Sequence, residues 1–176
     1  MVAIRDGYDR ARRPQRRESA TERLRAMDTP SSVLFVCLGN VCRSPYAEWS
    51  LRRDLETSDI RLDSAGFIGP NRNPPQIAIE AARERGVEHG ANNSQLVTDA
   101  LLEEADVVFL FQGSHIRKLR RIASAASPAV FLLGDFDPLW EGKRVIADPW
   151  GKPLEEFHRT FMRIDRCLEQ VRTVLT

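Results

Sequence analysis

Short apolar runs alternate with amphipathic stretches along most of the chain after residue 32. Each run is short, contains branched or aromatic residues and lacks the polar alternation of a half-exposed strand, which is typical of a strand buried on both faces. Four such runs predict β-strands at residues 33–36, 60–64, 106–111 and 129–133.

Between and after these runs, apolar residues recur at the three- and four-residue spacing of a helix. The clearest case is the last helix, where the apolar positions are Leu154, Phe157, Phe161, Ile164, Leu168, Val171 and Leu175. Earlier helices are predicted at residues 46–55, 75–85 and 115–122. Strands that alternate with helices predict a single α/β domain with a parallel sheet covered by helices.

Composition agrees with one globular domain. The chain has 176 residues, of which 42% are hydrophobic and 29% charged. No apolar run approaches the ~20 residues that span a bilayer, and the first residues lack the apolar core of a signal peptide. Three cysteines without a framework spacing favour a reducing compartment, so we expect a cytoplasmic protein.

The first 30 residues differ in composition from the rest. Residues 1–28 contain eight Arg against five Asp or Glu, a net charge of +3, and few large apolar side chains. We therefore predict a basic, disordered extension at residues 1–30 and a folded domain at residues 31–176. The interspersed acids argue against a nucleic-acid or membrane arm and against a transit peptide. Met27 is an alternative start of translation.

Cys37 and Arg43 lie six positions apart on a loop between the first strand and the next helix. Loop amides and a helix N-terminus form an anion site, which favours a thiolate and also binds a phosphoryl group. A planar guanidinium can hold two phosphoryl oxygens. This arrangement suits phosphoryl transfer through a cysteinyl phosphate. Taken alone, however, the pair could equally be a buried thiol and an ordinary helix-start residue.

The longer string CLGNVCRSPYAE resembles the phosphate loop of the low-molecular-weight protein tyrosine phosphatases. The strings DSAGF, VVFLF and DPWG extend this resemblance over roughly four-fifths of the chain. It implies a four-stranded parallel sheet in the order 2-1-3-4, and hydrolysis of protein phosphotyrosine without a metal or other cofactor.

The resemblance also implies roles for residues. Cys37 would be the nucleophile and Arg43 the phosphate clamp, and Ser44 would donate a hydrogen bond to the sulfur. Asn40 would hold the loop through side-chain bonds, with Ser64 as one partner. The phosphate-binding loop residues would be Leu38, Gly39, Asn40, Val41, Cys42 and Ser44. A reversible disulfide between Cys42 and Cys37 would protect the nucleophile, whereas Cys167 is predicted to lie in the core.

A tyrosyl leaving group needs a proton, because the pKa of phenol is about 10. The two Asp-Pro pairs offer Asp137 and Asp148 as general acids. The resemblance selects Asp148, which is followed by an aromatic residue and a glycine, while Asp137 is expected to be a turn residue. Trp150 would flank the substrate ring at the pocket mouth, with Leu38 and Val41 forming the rest of the rim.

The side chain at position 41 bears on whether the substrate is phosphotyrosine or phosphoarginine. Related phosphatases that act on phosphoarginine carry a polar threonine at this loop position, so an apolar Val41 favours phosphotyrosine. The expected partner is a phosphotyrosine-bearing protein, with a tyrosine kinase as a candidate, and neither nucleic acid nor a membrane. Eukaryotic members of the family carry paired tyrosines where this chain has the single Trp150, so the resemblance indicates a bacterial member of the family.

Two positions depart from the family pattern. In the family, a histidine usually supports the loop at the position of Ala91, and the nearest histidine here, His89, is two residues away. Gln112 stands where family members often have an acidic residue.

These departures leave open a second function, a module that binds phosphotyrosine without turnover. Arsenate reduction is disfavoured because Cys167 is the only further thiol. Zinc binding by Cys37 and Cys42 with His89, His115 or His158 lacks a second ligand pair.

Overall fold

A parallel β-sheet forms the centre of the protein. In this computed structural model, residues 13–27, 30–55, 59–88, 93–123, 128–139 and 144–175 are described. The strands are β1 (Ser32–Cys37), β2 (Arg61–Gly66), β3 (Val107–Leu110) and β4 (Ala129–Leu132). All neighbouring pairs are parallel and the order is β2-β1-β3-β4. The predicted fold class and strand order are thus confirmed.

Helices cover both faces of the sheet. They are α1 (Arg13–Arg25), α2 (Arg43–Asp54), α3 (Gln76–Arg83), α4 (Asp99–Glu103), α5 (Ser114–Ile122) and α6 (Leu154–Leu175), with a 3-10 turn at Leu133–Phe136. The short helix α4 has no counterpart in the sequence prediction, since its five residues are too few for a helical period to show. No helix in the described ranges is long and apolar enough to cross a bilayer.

The central strand β1 explains why its apolar run is unbroken. Val33 and Phe35 belong to one buried cluster, together with side chains of α1, α2, α3 and α6. Leu34 and Val36 face the opposite way and belong to a second cluster with side chains of α4 and α5. Because successive side chains of a strand point to opposite faces, a strand covered on both sides needs apolar residues at every position.

The sheet brings the ends of β1 and β2 together at one edge. Cys37, the last residue of β1, pairs with Gly66, the last residue of β2. A Cβ atom at Gly66 would lie only 2.8 Å from the backbone nitrogen of Asn40 and 2.9 Å from the carbonyl carbon of Gly39. A glycine is therefore required where the loop after β1 crosses the end of β2.

Helix α1 lies within the segment for which the sequence predicts disorder, and the structure differs from that prediction over Arg13–Arg25. Its apolar residues are few, but Ala20 and Leu24 stand one helical turn apart and are buried in the main core. Arg17 donates to Gln170 of α6 (3.0 Å), and the Arg23 guanidinium lies 4.8 Å from the ring centroid of Phe131. Residues of high helix propensity and two buried apolar side chains are enough to form this helix, because it packs against the folded domain. Residues 1–12 lie outside the described residues.

We expect Leu24→Ala to lower the free energy of unfolding by about 2 to 3 kcal/mol, since Leu24 is only 1% exposed and its removal leaves a cavity. The exposed neighbour Arg25 is the control, and Arg25→Ala should change stability by less than about 0.5 kcal/mol. Urea unfolding monitored by fluorescence measures both. Equal midpoints for the two variants would show that α1 is not part of the folded domain.

Candidate active site

The loop between β1 and α2 turns sharply at Asn40, whose φ of +52° lies in the left-handed region. Asparagine tolerates this conformation better than most residues. Its side-chain amide donates to Ser44 Oγ (3.0 Å) and Ser64 Oγ (2.8 Å). Its carbonyl oxygen accepts from the backbone nitrogen of Gln95 (2.9 Å). The side chain thus joins the loop to helix α2, strand β2 and the segment before α4.

The Cys37 sulfur lies inside this loop and accepts two hydrogen bonds. The Asn40 backbone nitrogen donates at 3.2 Å and Ser44 Oγ at 3.1 Å. Ser44 Oγ accepts from Asn40, and its one hydroxyl hydrogen is within reach of two acceptors, the sulfur and, at 3.3 Å, the carbonyl oxygen of Ala65. Both donors stabilise negative charge on the sulfur, as does the N-terminus of α2, which begins at Arg43.

The Arg43 guanidinium is buried beneath the loop, and its residue is 1% exposed. Nη1 donates to the carbonyl oxygen of Ile146 (3.1 Å) and, at 3.5 Å, to Oε1 of Gln112. Nη2 forms an ion pair with Oδ2 of Asp148. Nε is buried and has no hydrogen-bond partner in the part of the chain that the structure describes. A buried N–H without an acceptor is costly, so this donor favours an anion in the loop.

A cavity of about 110 Å³ opens beside this loop. Its lining residues are Cys37, Leu38, Gly39, Val41, Cys42, Ile68, Arg72, Asp148 and Trp150. A larger cavity of about 720 Å³ lies between α1 and the β4 edge, but neither cysteine nor histidine lines it. Of these two cavities, the smaller one is therefore the one lined by a thiol group.

The general-acid candidate Asp148 is at the mouth of the small cavity, with its side chain 37% exposed. Oδ2 pairs with Arg43, and Oδ1 accepts from the backbone nitrogen of Trp150 (3.3 Å). Gly151 follows with φ of +72°, which allows the chain to turn before α6 begins. The Trp150 residue is 55% exposed beside the opening.

Asp137, the alternative acid, is elsewhere. Its side chain is fully buried, and its carboxylate accepts from Arg163 Nε (2.9 Å) and Arg166 Nε (3.2 Å) of α6. It does not line the small cavity. An aspartate held between two arginines is a structural ion pair rather than a proton donor.

The second loop cysteine, Cys42, is buried, and its pKa is raised far above the ordinary thiol range. Burial is the main cause, and the nearby charges of Cys37 and Asp148 add to it. Cys42 is therefore a neutral thiol near pH 7. Cys167 is fully buried in the core, as predicted.

Several residues at the site have no signal in the sequence. Ile68 and Arg72, in the irregular segment after β2, line the cavity. Gln95 contacts both Asn40 and the carbonyl oxygen of Ser64 (2.9 Å). Nothing in the local pattern distinguishes these residues from ordinary loop residues, because their function depends on what the fold places beside them.

His115 is a residue to which the sequence gives no role at this loop apart from the disfavoured zinc site. It is fully buried, its ring centroid lies 5.0 Å from that of Phe67, and neither ring nitrogen has a partner within the described ranges. Burial, reinforced by the charges of Arg43 and Lys118, lowers its pKa from 6.5 to about 4. The imidazole is therefore neutral at pH 7.

The departures from the family pattern have different outcomes. Gln112 contacts Arg43 and also donates to Ser114 Oγ (2.8 Å). His89 and Ala91 lie outside the described residues.

The candidate zinc ligand His158 is on α6, where its Nε2 lies 3.3 Å from a carboxylate oxygen of Glu84. The residues that the structure describes contain no cluster of three or more metal-binding side chains.

Comparison with known proteins agrees with this geometry. The model of the family "Low molecular weight phosphotyrosine protein phosphatase" matches residues 32–176. The low molecular weight protein-tyrosine-phosphatase Wzb of Salmonella typhi is 28% identical over 141 residues, which cover 80% of this chain and 91% of that protein.

Solved structures show the same fold. The tyrosine phosphatase Wzb from Escherichia coli K30, in complex with sulphate, superposes with a TM-score of 0.74 at 27% identity, covering 84% of this chain and 99% of that one. The YwlE arginine phosphatase from Geobacillus stearothermophilus superposes with a TM-score of 0.72 at 26% identity, covering 82% and 92%. The protein is therefore a phosphatase whose fold is a parallel β-sheet covered by helices. It belongs to the low molecular weight phosphotyrosine protein phosphatase family.

The neutral, buried His115 makes stability depend on pH. In the unfolded chain this imidazole gains a proton near pH 6.5, whereas in the folded protein it does so only near pH 4. The unfolded state therefore binds more protons in this interval, and stability falls as the pH is lowered from about 6.5 to about 4. We expect His115→Leu to flatten the profile there by about 1 kcal/mol per pH unit.

Urea unfolding of both proteins at several pH values measures this difference. Only the slopes are compared, so a change in overall stability caused by the substitution does not matter. Parallel profiles would contradict the neutral state of His115.

Proposed function

We propose that this protein hydrolyses phosphotyrosine in proteins through a cysteinyl-phosphate intermediate, with Cys37 as nucleophile, Arg43 as phosphate clamp and Asp148 as general acid and base. The observation that carries the proposal is that Cys37 and Asp148 line one small cavity, while the buried Arg43 guanidinium is paired with Asp148. Binding alone would require neither a thiol nor a carboxylate there.

In the first step, the phosphoryl group enters the loop and its oxygens accept from the loop amides and from Arg43, whose buried Nε is available. The Cys37 thiolate attacks phosphorus, the S–P bond forms and the bond to the tyrosyl oxygen breaks. Protonated Asp148, at the cavity mouth, gives its proton to the departing phenolate. Arg43 thereby exchanges its ion pair with Asp148 for contacts with the phosphoryl oxygens.

In the second step, Asp148 is ionised and accepts a proton from a water molecule, which attacks phosphorus. The S–P bond breaks, inorganic phosphate leaves and the sulfur regains its negative charge. The hydrogen bond from Ser44 Oγ to the sulfur (3.1 Å) stabilises this departing thiolate. Asn40 and Ser64 support Ser44 through the loop network.

The test is release of phosphate from a phosphotyrosine peptide in excess chelator. We expect turnover by the wild type, none by Cys37→Ser, and a rate reduced by ~10²-fold or more in Asp148→Asn, the scale of a lost general acid. The loss in Asp148→Asn should be smaller for an aryl phosphate whose phenol is strongly acidic, because that leaving group needs no proton. Glu155→Gln, an exposed carboxylate change at the start of α6, is the matched control.

A second outcome would favour a different function. If the wild type binds the peptide but releases no phosphate, the protein is a phosphotyrosine-binding module. The first variant to test for restored turnover would then replace Gln112 with an acidic residue.

The cavity wall favours an aromatic substrate. Leu38, Val41, Ile68 and Trp150 present apolar surface around the opening. A flat phenyl ring buries well against such a wall, whereas the polar linkage of phosphoarginine would lose hydrogen bonds with water. The similarity to an arginine phosphatase makes this distinction worth measuring.

We expect the wild type to prefer a phosphotyrosine peptide over a phosphoarginine peptide of the same sequence, and Val41→Thr to reduce that preference several-fold. The change is nearly isosteric and replaces a methyl group with a hydroxyl group. The ratio of kcat/KM for the two peptides measures it, with Val145→Thr, an exposed valine outside the cavity, as control. Equal turnover of both peptides by the wild type would rule out the preference.

The proposed setting is the cytoplasm, with a phosphotyrosine-bearing protein as partner and an autophosphorylated tyrosine kinase as the candidate. The Cys37→Ser variant should retain such a protein in its phosphorylated form. Failure to retain any phosphotyrosine protein from the native cytoplasm would count against this setting.

A further inference from the structure

Arg72 lies at the opening of the catalytic cavity and is held there by backbone carbonyl groups. Its Nε donates to the carbonyl oxygen of Gly69 (2.6 Å). Its Nη2 donates to the carbonyl oxygens of Gly39 (2.8 Å) and Ile68 (2.9 Å). One guanidinium thus connects the phosphate loop with the segment after β2.

Close packing fixes the direction of this guanidinium. A Cβ atom at Gly39 would lie 2.8 Å from Nη2, and one at Gly69 would lie 2.4 Å from Nε. The two glycines leave just enough room for the guanidinium to lie against the backbone. The Arg72 backbone is held too, since its nitrogen donates to Ser94 Oγ (2.9 Å). Little side-chain freedom remains to be lost when a ligand binds.

The third guanidinium nitrogen, Nη1, makes no hydrogen bond with any residue that the structure describes. It carries two N–H groups and part of the positive charge. The other charged side chain lining the cavity, Asp148, is engaged with Arg43, and the remaining rim is apolar. Arg72 therefore provides a positive charge at the rim with donors left over.

We infer that Arg72 is a specificity-determining residue, which binds a carboxylate beside the phosphorylated residue and thereby selects acidic peptide segments. This inference rests on the proposed phosphatase function. A carboxylate is the side chain that matches a fixed N–H donor with positive charge, and an arginine already held in place gives up less entropy for such a bond than a lysine.

The experiment compares two phosphotyrosine peptides, one with Glu and the other with Gln on both sides of the phosphotyrosine. For the wild type, we expect kcat/KM to be about fivefold higher for the Glu peptide, near the upper end for an exposed ion pair, and the difference to lie in KM. Raising the ionic strength to about 0.5 M should remove most of it, because the charges are then screened.

Variants separate recognition from bracing of the loop. Arg72→Gln should bring the ratio of the two peptides to about one, whatever happens to the absolute rate, and Arg72→Lys should keep part of it. Arg61→Gln is the charge-matched control, since Arg61 is exposed at the opposite end of β2 and should leave the ratio unchanged. The Arg72 variants will be inactive if the loop needs Arg72 as a brace. In that case the wild-type ratio of the two peptides is the test: a ratio that falls toward one at high salt supports recognition by Arg72, and a ratio that does not change with salt contradicts it.

Equal wild-type rates on the two peptides, or a ratio that survives Arg72→Gln, would overturn the inference. p-Nitrophenyl phosphate, which has no flanking residues, keeps the two proposals apart. A wild type that hydrolyses this ester but treats both peptides alike is a phosphatase in which Arg72 only braces the loop. A wild type that hydrolyses neither the ester nor the peptides refutes the proposed function itself.

Discussion

The hydrogen bonds of the Asn40 side chain hold the loop between β1 and α2 in its shape. The loop has five residues in which to pass from a buried strand to a helix, and it does so through a left-handed residue that would otherwise be strained. Three bonds, to Ser44, Ser64 and Gln95, offset that cost. Because the same loop surrounds the Cys37 sulfur, the position of this proposed nucleophile depends on these contacts.

Charge around the site is balanced in favour of a phosphate ligand. Arg43 and Arg72 are positive, and Asp148 supplies the carboxyl group among the described residues that line the cavity. Two further neighbours of Arg43 are neutral: Gln112 is an amide, and His115 has a pKa lowered to about 4. An acidic side chain in the place of Gln112 would add a negative charge that a phosphoryl dianion must approach. Gln112 and His115 thus add no negative charge that would compete with a ligand for Arg43, whose ion pair is with Asp148.

Local patterns in the sequence predict the sheet well because each strand is buried on both faces and carries a continuous apolar signal. The loop that surrounds Cys37 is also predictable, since its residues form one contiguous motif, and their catalytic roles stay predictions. Arg72, Ile68 and Gln95 are not, because they come from irregular segments and acquire their roles only through the fold. The sequence does not predict helix α1 for another reason. Only two of its apolar residues, Ala20 and Leu24, pack into the core of the domain, and two are too few to give a helical pattern.

The pairing of Arg43 with Ile146 and Asp148 also has a consequence for biosynthesis. The two halves of the site are separated by 105 positions in the sequence, and the distal half directly precedes the final helix, whose apolar face completes the main core. Contacts of such long sequence separation form late, after the intervening chain has been ordered. A nascent chain on the ribosome thus contains Cys37 long before it contains the proposed proton donor, Asp148. Catalytic competence therefore arises only when synthesis of the domain is nearly complete, and it serves as a readout of global folding.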